Sequence, residues 1–440
     1  MKRLLLLVMI VTGAAMCVGQ QNSMTYEQAL QQVKNSKIIY IDGKPDSLSR
    51  IAIEDSLARE MLNFYYGQFR HYDDPAAPYF QFMSRDANLT MGIGGVVRMR
   101  GWFGFSDAIT IPAFSPYLIP MGSDPTARRD FGTTPAGTSL FFSVLGSNKI
   151  LGKYQLYIEA NFNGYKARDF HLKKAYAQFR DLTVGLAPST FSDPAAQAPM
   201  VDANGAANKI APSNVLVRYM PVINKHWVLA VSVEDPDSPA TYAVDTATCS
   251  KVRKWLPDVA AFVQYQWGMG EHVRLAGLYR AMTYRDRLAE SNHTLSGWGL
   301  MLSGVVKPHP QLTGYFTGVY GHGYTSVMND MMQGNYDVVA EPGRPGRMYS
   351  PAAYGWNLGV QWNFRPNLFV SAQMGQVRYL PRHAVASDEY RFGQLAAVNI
   401  YWNPTPRSQV ALEYDWGRRR NQSGATGHSN RIGAMVQFSF

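Results

Sequence analysis

Stretches of about ten residues in which apolar and polar side chains alternate recur along most of this chain. One of them, YGWNLGVQWN at 354–363, places two Trp, a Tyr, a Leu and a Val on one face, and Gly, Asn and Gln on the other. Successive side chains of a strand point to opposite faces, so this period of two predicts strands with one apolar and one polar face. After the first twenty residues no run of eighteen apolar residues occurs, so transmembrane helices are not predicted.

The chemistry of the two faces separates a soluble sheet from a membrane barrel. In KYQLYIEANFN at 153–163, Lys153, Gln155 and Glu159 share one face and Leu156 and Ile158 share the other. In a soluble sandwich, packing the polar face inward would bury charged side chains. Leaving the apolar face outward would expose Tyr and Trp to water. In a barrel, lipid contacts the apolar face and a wet lumen contacts the polar face. The pattern therefore predicts a transmembrane antiparallel β-barrel and an all-β fold.

About sixteen such segments can be counted, an even number that suits a bacterial barrel and gives a lumen wide enough for water. Short links predict periplasmic turns, and the long links at 106–137 and 323–351 predict extracellular loops. The segments centre on Arg98, Phe142, Ile158, Ala175, Val184, Val217, Val231, Val263, Ala276, Leu300, Phe316, Leu358, Ala372, Val398, Leu412 and Val436.

The first nineteen residues have the pattern of a secretory signal peptide. Lys2 and Arg3 precede a short apolar run at 4–11, and small residues follow, so cleavage is predicted after Gly19. Cys17 does not favour a lipoprotein, because Met16 stands where a small residue is needed. Cleavage lowers the net charge from +10 to +8, since both basic residues leave and no acid does. Of the two cysteines only Cys249 then remains, which rules out an internal disulfide.

Residues 20–70 differ from the rest, with apolar side chains at helical spacing in 24–34 and again from 46 to 62. They predict a short helical periplasmic segment ahead of a barrel at 88–440. A small coiled coil, a helical plug and a flexible tether remain alternatives for it.

Several motifs together resemble one known family. They are DPAAPYFQFMSRDANLTMGIGGVVRMRGWFGFSD at 74–107, NFNGYKARDFHLKKAYAQF at 161–179, GLAPSTFSDPAAQAPMVDANG at 185–205, and the terminal Phe440 on an amphipathic strand. They resemble DcaP-like trimeric outer-membrane channels, which are related to the phosphate-selective porins, from about residue 60 to the end. The resemblance implies a sixteen-stranded homotrimer in the bacterial outer membrane that carries small anions such as dicarboxylates.

A long Pro-, Ala- and Gly-rich stretch near 188–212 follows a predicted strand. In porins of this kind the corresponding loop folds inward and narrows the pore, and small residues with local turn bonds suit that packing. An ordinary surface loop is the alternative. The predicted constriction residues are Ser189, Phe191, Asp193, Asp202 and Asn204.

Basic side chains on the polar faces are the candidate solute contacts. Arg98 and Arg100 lie two positions apart on one strand, and guanidinium forks bind carboxylate and phosphate bidentately. Acids share these faces, among them Glu159, Glu234 and Glu413, so some arginines are expected to be structural partners instead. The predicted lumen cations are Arg98, Arg100, Lys153, Arg218, Arg274 and Arg280.

Other function classes find less support in the residues. The nine histidines are scattered without an HExxH or a Cys/His cluster, so neither a metal site nor a cofactor is predicted. No GxSxG or phosphate-binding loop suggests an enzyme, and the basic residues form no nucleic-acid motif. Outer-membrane lipid, lipopolysaccharide and small anionic solutes are the expected partners, and the run at 418–420 could contact lipopolysaccharide phosphates or form a solvated loop. A structural or adhesive barrel with a largely closed lumen is the main alternative.

Overall fold

The structure is a computed structural model. It describes residues 30–31, 33–34, 37–41, 50–55, 58–59, 80–84, 89–106, 108–122, 125–126, 128–148, 150, 152–163, 167–221, 223–224, 226–236, 239–245, 247–267 and 270–440. The signal peptide and most of the predicted helical segment lie outside these residues. No helix of the described chain is long and apolar enough to cross a membrane.

The described chain is dominated by strands. Three single-turn 3-10 helices lie at Pro116–Leu118, Pro194–Ala196 and Thr325–Val327. The strands are β1 (Lys37–Tyr40), β2 (Phe80–Met83), β3 (Leu89–Ser106), β4 (Asp130–Thr134), β5 (Ser139–Asn148), β6 (Gly152–Asn163), β7 (Asp169–Phe179), β8 (Leu182–Pro188), β9 (Ser213–Tyr219), β10 (Trp227–Pro236), β11 (Tyr242–Ala243), β12 (Cys249–Lys251), β13 (Asp258–Trp267), β14 (Glu271–Asp286), β15 (Ser291–His309), β16 (Leu312–His322), β17 (Val338–Ala340), β18 (Met348–Tyr349), β19 (Ala352–Arg365), β20 (Leu368–Leu380), β21 (Tyr390–Thr405), β22 (Ser408–Asn421) and β23 (Thr426–Ser439).

Sixteen of these strands form a closed antiparallel barrel. Each pairs with the next in the order β3, β5, β6, β7, β8, β9, β10, β13, β14, β15, β16, β19, β20, β21, β22 and β23. The ring closes where β23 pairs with β3, with Val436 opposite Met99. Next to this seam the terminal Phe440 exchanges two backbone hydrogen bonds of 2.9 Å with Gly95. Closure leaves the barrel without an unpaired edge.

The sixteen predicted segment centres fall one in each of the sixteen barrel strands, which confirms the predicted fold class. The short link at 307–310 was predicted as a periplasmic turn, but residues 307–309 continue β15 and the turn follows them. Residues 418–420 also belong to β22 rather than to a solvated loop.

Additional short strands extend the barrel wall. β4 pairs with the upper half of β3 and continues β5 past a break at 135–138. β2 pairs with the start of β3, and β1 lies parallel to β2. The sequence did not predict β1, which lies between helical residues at 30–31 and 33–34 and helical residues at 50–55 and 58–59.

The outer face carries a continuous apolar belt. Met99, Leu358 and Val398 are each 58% exposed, and the same outward register holds Leu412 and Val436. Short turns such as 366–367 and 406–407 lie at one end and long loops at the other, which assigns the periplasmic and extracellular ends. A large closed barrel with an apolar belt and a polar interior is the architecture of the bacterial outer membrane, and the chain lies there.

Candidate functional site

Three segments of the described chain fold into the barrel from its extracellular end. The first inward segment comprises residues 108–122, the second 189–212 and the third 324–338. Each includes one of the 3-10 turns, and each buries apolar side chains in the interior: Phe114 in the first, Phe191 in the second and Tyr324 in the third are at most 1% exposed. The interior of the barrel is therefore the candidate functional site.

A buried glutamate of β10 anchors the start of the second inward segment. Glu234 is 1% exposed and accepts hydrogen bonds from Ser189 Oγ at 2.7 Å and from the backbone N–H of Thr190 at 2.8 Å. Asn214 and Ser232 donate two further bonds to it. This carboxylate fixes the direction in which the chain leaves β8 and turns inward.

On β22, several strands away from β10 along the barrel wall, a second glutamate anchors the middle of the same segment. Glu413 of β22 accepts the backbone N–H groups of Val201 at 2.7 Å and Asp202 at 2.6 Å. Asn399 Nδ2 donates to the same carboxylate and to the carbonyl of Pro199, each at 2.9 Å. The second inward segment thus crosses the interior from β10 to β22.

Asp193 is the centre of a buried charged cluster on the same segment. It accepts hydrogen bonds from Ser303 Oγ at 2.6 Å and pairs with His272 Nε2 at 2.9 Å and Arg274 Nη1 at 3.7 Å. Burial alone would raise the pKa of Asp193, but Arg274 and His272 together lower it below its usual range. The carboxylate is therefore ionised and joins the segment to β14 and β15.

The long link at 323–351 was predicted as an extracellular loop, but its first half lies inside the barrel. Tyr324, Met328 and Met331 are fully buried, because these large apolar side chains fill space against β19 to β21. Residues 108–122, within the predicted loop at 106–137, are likewise partly buried against β22 and β23. The interior holds more chain than the sequence predicted.

One aspartate connects all three inward segments. Asp330 of the third segment accepts hydrogen bonds from Ser115 Oγ at 3.3 Å, Asn204 Nδ2 at 3.2 Å and the backbone N–H of Asn208 at 2.9 Å. Burial raises its pKa to about 6, against the opposing effect of these hydrogen bonds. The three segments consequently form one connected assembly within the lumen.

The five predicted constriction residues all lie in this assembly and are at most 9% exposed. Asp202 accepts the N–H of Phe114 at 3.0 Å and forms an ion pair with Arg431 of β23. Phe191 packs in a large buried apolar cluster, and Asn204 donates to Asp330. The segment is folded inward rather than lying on the surface.

Three of the predicted lumen cations face inward but are covered. Arg218, Arg274 and Arg280 are 5%, 0% and 1% exposed. Arg218 donates to the carbonyl of Pro188, which directly precedes the second segment, and Arg274 donates to that of Ser192 near its start. These two arginines hold the base of the inward segment.

Arg280 has a comparable role for the third inward segment. Its Nε donates to Asp258 at 2.8 Å, its Nη1 donates to Ser326 at 2.7 Å, and Asp337 lies 3.8 Å away. Arg280 is thus one of the inward arginines that pair with carboxylates.

Arg98 and Arg100 differ from the buried arginines because both are only half-buried. Arg98 Nε donates to Gln437 at 2.9 Å, and Arg100 Nη1 donates to the carbonyl of Ala136 at 3.0 Å. Ala136 lies in the break between β4 and β5, where the wall bends around the two guanidiniums. Neither arginine forms a salt bridge within the described residues.

Two lysines of β7 add to the basic side chains on this part of the barrel wall. A bulge between Glu159 and Ala160 in the pairing of β6 with β7 lets Lys173 and Lys174 both approach Glu159, at 2.8 Å and 3.6 Å. The side chain of the predicted Lys153 lies outside the described residues, although its backbone is part of β6. Four described cations therefore accompany one carboxylate here.

The sequence did not identify His272, Asp330, Asp337 or Arg431 as site residues. The composition of the third inward segment could have predicted its burial. Residues 324–332 contain three Met, one Val and a single charge, which is too apolar for a solvated loop. The partners of Arg431 and His272 carried no such indication, because they lie 229 and 79 positions away. No group of three or more potential metal ligands occurs in the described chain.

Solved structures with this barrel are known. The outer membrane channel DcaP of Acinetobacter baumannii matches with a TM-score of 0.67 at 18% identity, covering 80% of this chain and 98% of that one. The chain has the fold of an outer-membrane porin.

Two further solved structures agree with that fold. An anion-selective porin from Comamonas acidovorans matches with a TM-score of 0.52 at 9% identity, over 80% of this chain and all of the other. The outer membrane protein OmpT of Vibrio cholerae matches with a TM-score of 0.51 at 10% identity, over 80% and 98%. No family model and no curated protein matches the chain. The porin fold predicted from the sequence is thus confirmed by structure.

Proposed function

We propose that this chain is an outer-membrane porin through which small anionic solutes, such as dicarboxylates or phosphate, diffuse passively. The observation that carries the proposal is the contrast among inward arginines. Arg98 and Arg100 keep exposed surface, whereas Arg218, Arg274 and Arg280 are buried by the inward segments. An arginine that keeps exposed surface on a lumen wall attracts an anion, and its guanidinium can bind the anion's oxygens bidentately.

In this proposal the second inward segment sets the size limit and the wall of β3 sets the charge preference. The inward carboxylates do not oppose this bias strongly, because Glu234 and Glu413 accept loop N–H groups and Asp202 pairs with Arg431. Diffusion through a fixed, wet passage requires no chemistry and no cofactor. The porin would assemble as a homotrimer, as its resemblance to DcaP-like channels implies.

A planar-bilayer recording of the purified protein under a salt gradient tests the proposal. We expect large conductance steps in groups of three and a reversal potential that favours chloride. The variant Arg98→Ala/Arg100→Ala is expected to lose much of the anion preference and to keep its oligomeric state. Unchanged selectivity in a folded double variant would remove these two arginines from the mechanism.

A structural or adhesive barrel is the second candidate, because three inward segments occupy the lumen and converge on Asp330. Such a barrel would carry no current although it is folded. The same recording separates the two functions, and a folded barrel without conductance would favour the closed barrel.

A further inference from the structure

Four arginines near the extracellular end point away from the lumen. Outward residues of β22 include Leu412 and Tyr414, and two-residue periodicity continues that register to Arg418 and Arg420. On β20 the exposed Met374 sets the outward register of Arg378. These side chains therefore lie on the outer wall of the barrel.

A bulge adds the fourth arginine to this surface. Between Tyr390 and Phe392 the register of β21 against β22 shifts by one residue. Tyr390 is fully buried and faces inward, so Arg391 lies with Phe392 on the outer face, opposite Arg420. Arg378, Arg391, Arg418 and Arg420 form what we call the basic patch.

The strand register places the basic patch on three adjacent strands. Phe392 pairs with Arg378 on one side and with Arg420 on the other. Arg418 pairs with Gln394 and with His428, which extends the polar row onto β23. Neighbouring strands lie about 4.8 Å apart, so the patch spans roughly 10 Å, the scale of a phosphorylated sugar.

The described chain supplies no ion-pair partner to the basic patch. Within the described chain no salt bridge involves any of its four arginines, and the Nε atoms of Arg378, Arg418 and Arg420 are buried without a hydrogen-bond partner. A buried donor without a partner is costly, so the arrangement favours an external acceptor. Arg378 and Arg391 also line one depression at the rim together with His383 and Gln422.

An apolar groove runs along the same outer wall below the patch. It extends from β15 across β16, β19, β20 and β21 to β22, and small residues at its floor leave room between larger ones. Its lining includes Gly314, Leu358, Ala372, Met374, Ala396 and Val398. Trp416, which also lines it, lies two residues before Arg418. An acyl chain in the groove would bring its head group to the arginines.

We propose that the basic patch and the apolar groove together bind a phosphorylated glycolipid of the outer leaflet, with its phosphates on the arginines and an acyl chain in the groove. The extracellular position selects this leaflet, and the guanidinium forks match phosphate oxygens. The inference rests on the membrane placement contained in the proposed function but not on conduction, because the site lies outside the lumen.

The test uses the full-length protein in detergent with bisphosphorylated lipid A as the probe, and dephosphorylated lipid A of the same acyl composition as its comparison. Binding is counted by native mass spectrometry. Each surface arginine contributes about fivefold to binding of an anionic head group, so Arg418→Gln/Arg420→Gln is expected to weaken binding of the phosphorylated probe about 25-fold. Binding of the dephosphorylated probe should not change.

Arg285→Gln/Arg287→Gln is the matched control, since it removes two charges at the extracellular end of β14 and should leave the affinity unchanged. Equal loss in both double variants would mean nonspecific attraction and would overturn the site. Full affinity in Arg418→Gln/Arg420→Gln would also overturn it. Dissociation of the oligomer in that variant would assign the patch to a second copy of the chain instead.

The groove has its own variant, Ala396→Phe, whose side chain would fill the floor. It is expected to weaken both probes equally, because both carry the same acyl chains, and unchanged binding of both would remove the groove from the site. The conductance of every variant in this series should equal that of the wild type. A failure of conduction in all proteins, including the wild type, would contradict the proposed function while leaving the lipid result interpretable.

Discussion

Removing the carboxylate of Glu413 should loosen the middle of the second inward segment and widen the passage. This side chain accepts the N–H groups of Val201 and Asp202 and lies 3% exposed in the interior. A hydrogen bond to a charged group is worth about 1.5–3 kcal/mol, so Glu413→Ala costs the docked segment about 3–6 kcal/mol. At about 1.4 kcal/mol per tenfold, the undocked population rises by roughly two to four orders of magnitude.

Neighbouring anchors limit how far the segment moves. Ser371 and Asn399 still donate to the carbonyl of Pro199, and Asp202 still pairs with Arg431. Glu413→Ala should therefore give a folded barrel with a larger and noisier single-channel current rather than a lost loop. Single-channel recording at fixed salt measures both quantities.

Glu413→Gln is the matched control for charge. Both variants remove the carboxylate, so the difference between their conductances reports the anchoring of the segment rather than the charge. The amide keeps one acceptor oxygen and should lose about half of the anchoring energy, giving conductance and noise between those of the wild type and Glu413→Ala. If both variants conduct like the wild type while heat-modifiability shows a folded barrel, the segment does not limit the passage.

Two further predictions concern the assembly inside the barrel and the seam that closes it. The pKa of Asp330 is about 6, above the usual 3.8 of an aspartate, so the folded protein binds this proton more tightly and gains stability as the pH falls from 7 towards 4. Thermal midpoints at pH 7 and pH 5 should show that the wild type gains about 1 kcal/mol of folding stability at the lower pH, and that Asp330→Asn does not. The same pH dependence in both proteins would contradict the assignment of this proton to Asp330. A Cβ at Gly95 would lie 2.6 Å from the carbonyl oxygen of Ser139 and 2.7 Å from Phe440 Cζ, so Gly95→Val should reduce the folded fraction on unheated gels. Wild-type folding yields would show that the seam tolerates a side chain there.

The sequence was sufficient for the wall of the barrel because the wall depends on local alternation. Each strand shows its two faces within ten residues, and lipid outside with water inside requires the same alternation in every strand. Local alternation does not predict the β-bulges. One of them brings Lys173 and Lys174 to the same glutamate, and another turns Arg391 outward, and neither departs visibly from alternation in the sequence.

The contents of the barrel were harder to predict because they depend on partners that are remote in the sequence. Period-two alternation predicted an inward direction for Arg274 and Arg280, but it did not predict the segments that cover them. Ser192 and Ser326, which accept their hydrogen bonds, lie 82 and 46 positions away. Direction is a local property of a strand, whereas exposure depends on where distant loops pack.

This difference gives a physical criterion for assigning the basic residues of the barrel. An arginine enclosed by carboxylates and loop carbonyls has its charge and donors satisfied by the protein, and its removal should first destabilise the segment it holds. Arg274 and Arg280 meet that description. Arg98 and Arg100 keep surface towards the lumen, and the outward basic patch has donors without partners. The surroundings of an arginine thus separate three roles: an anchor in the interior, the proposed anion contact on the lumen wall, and the proposed lipid contact outside.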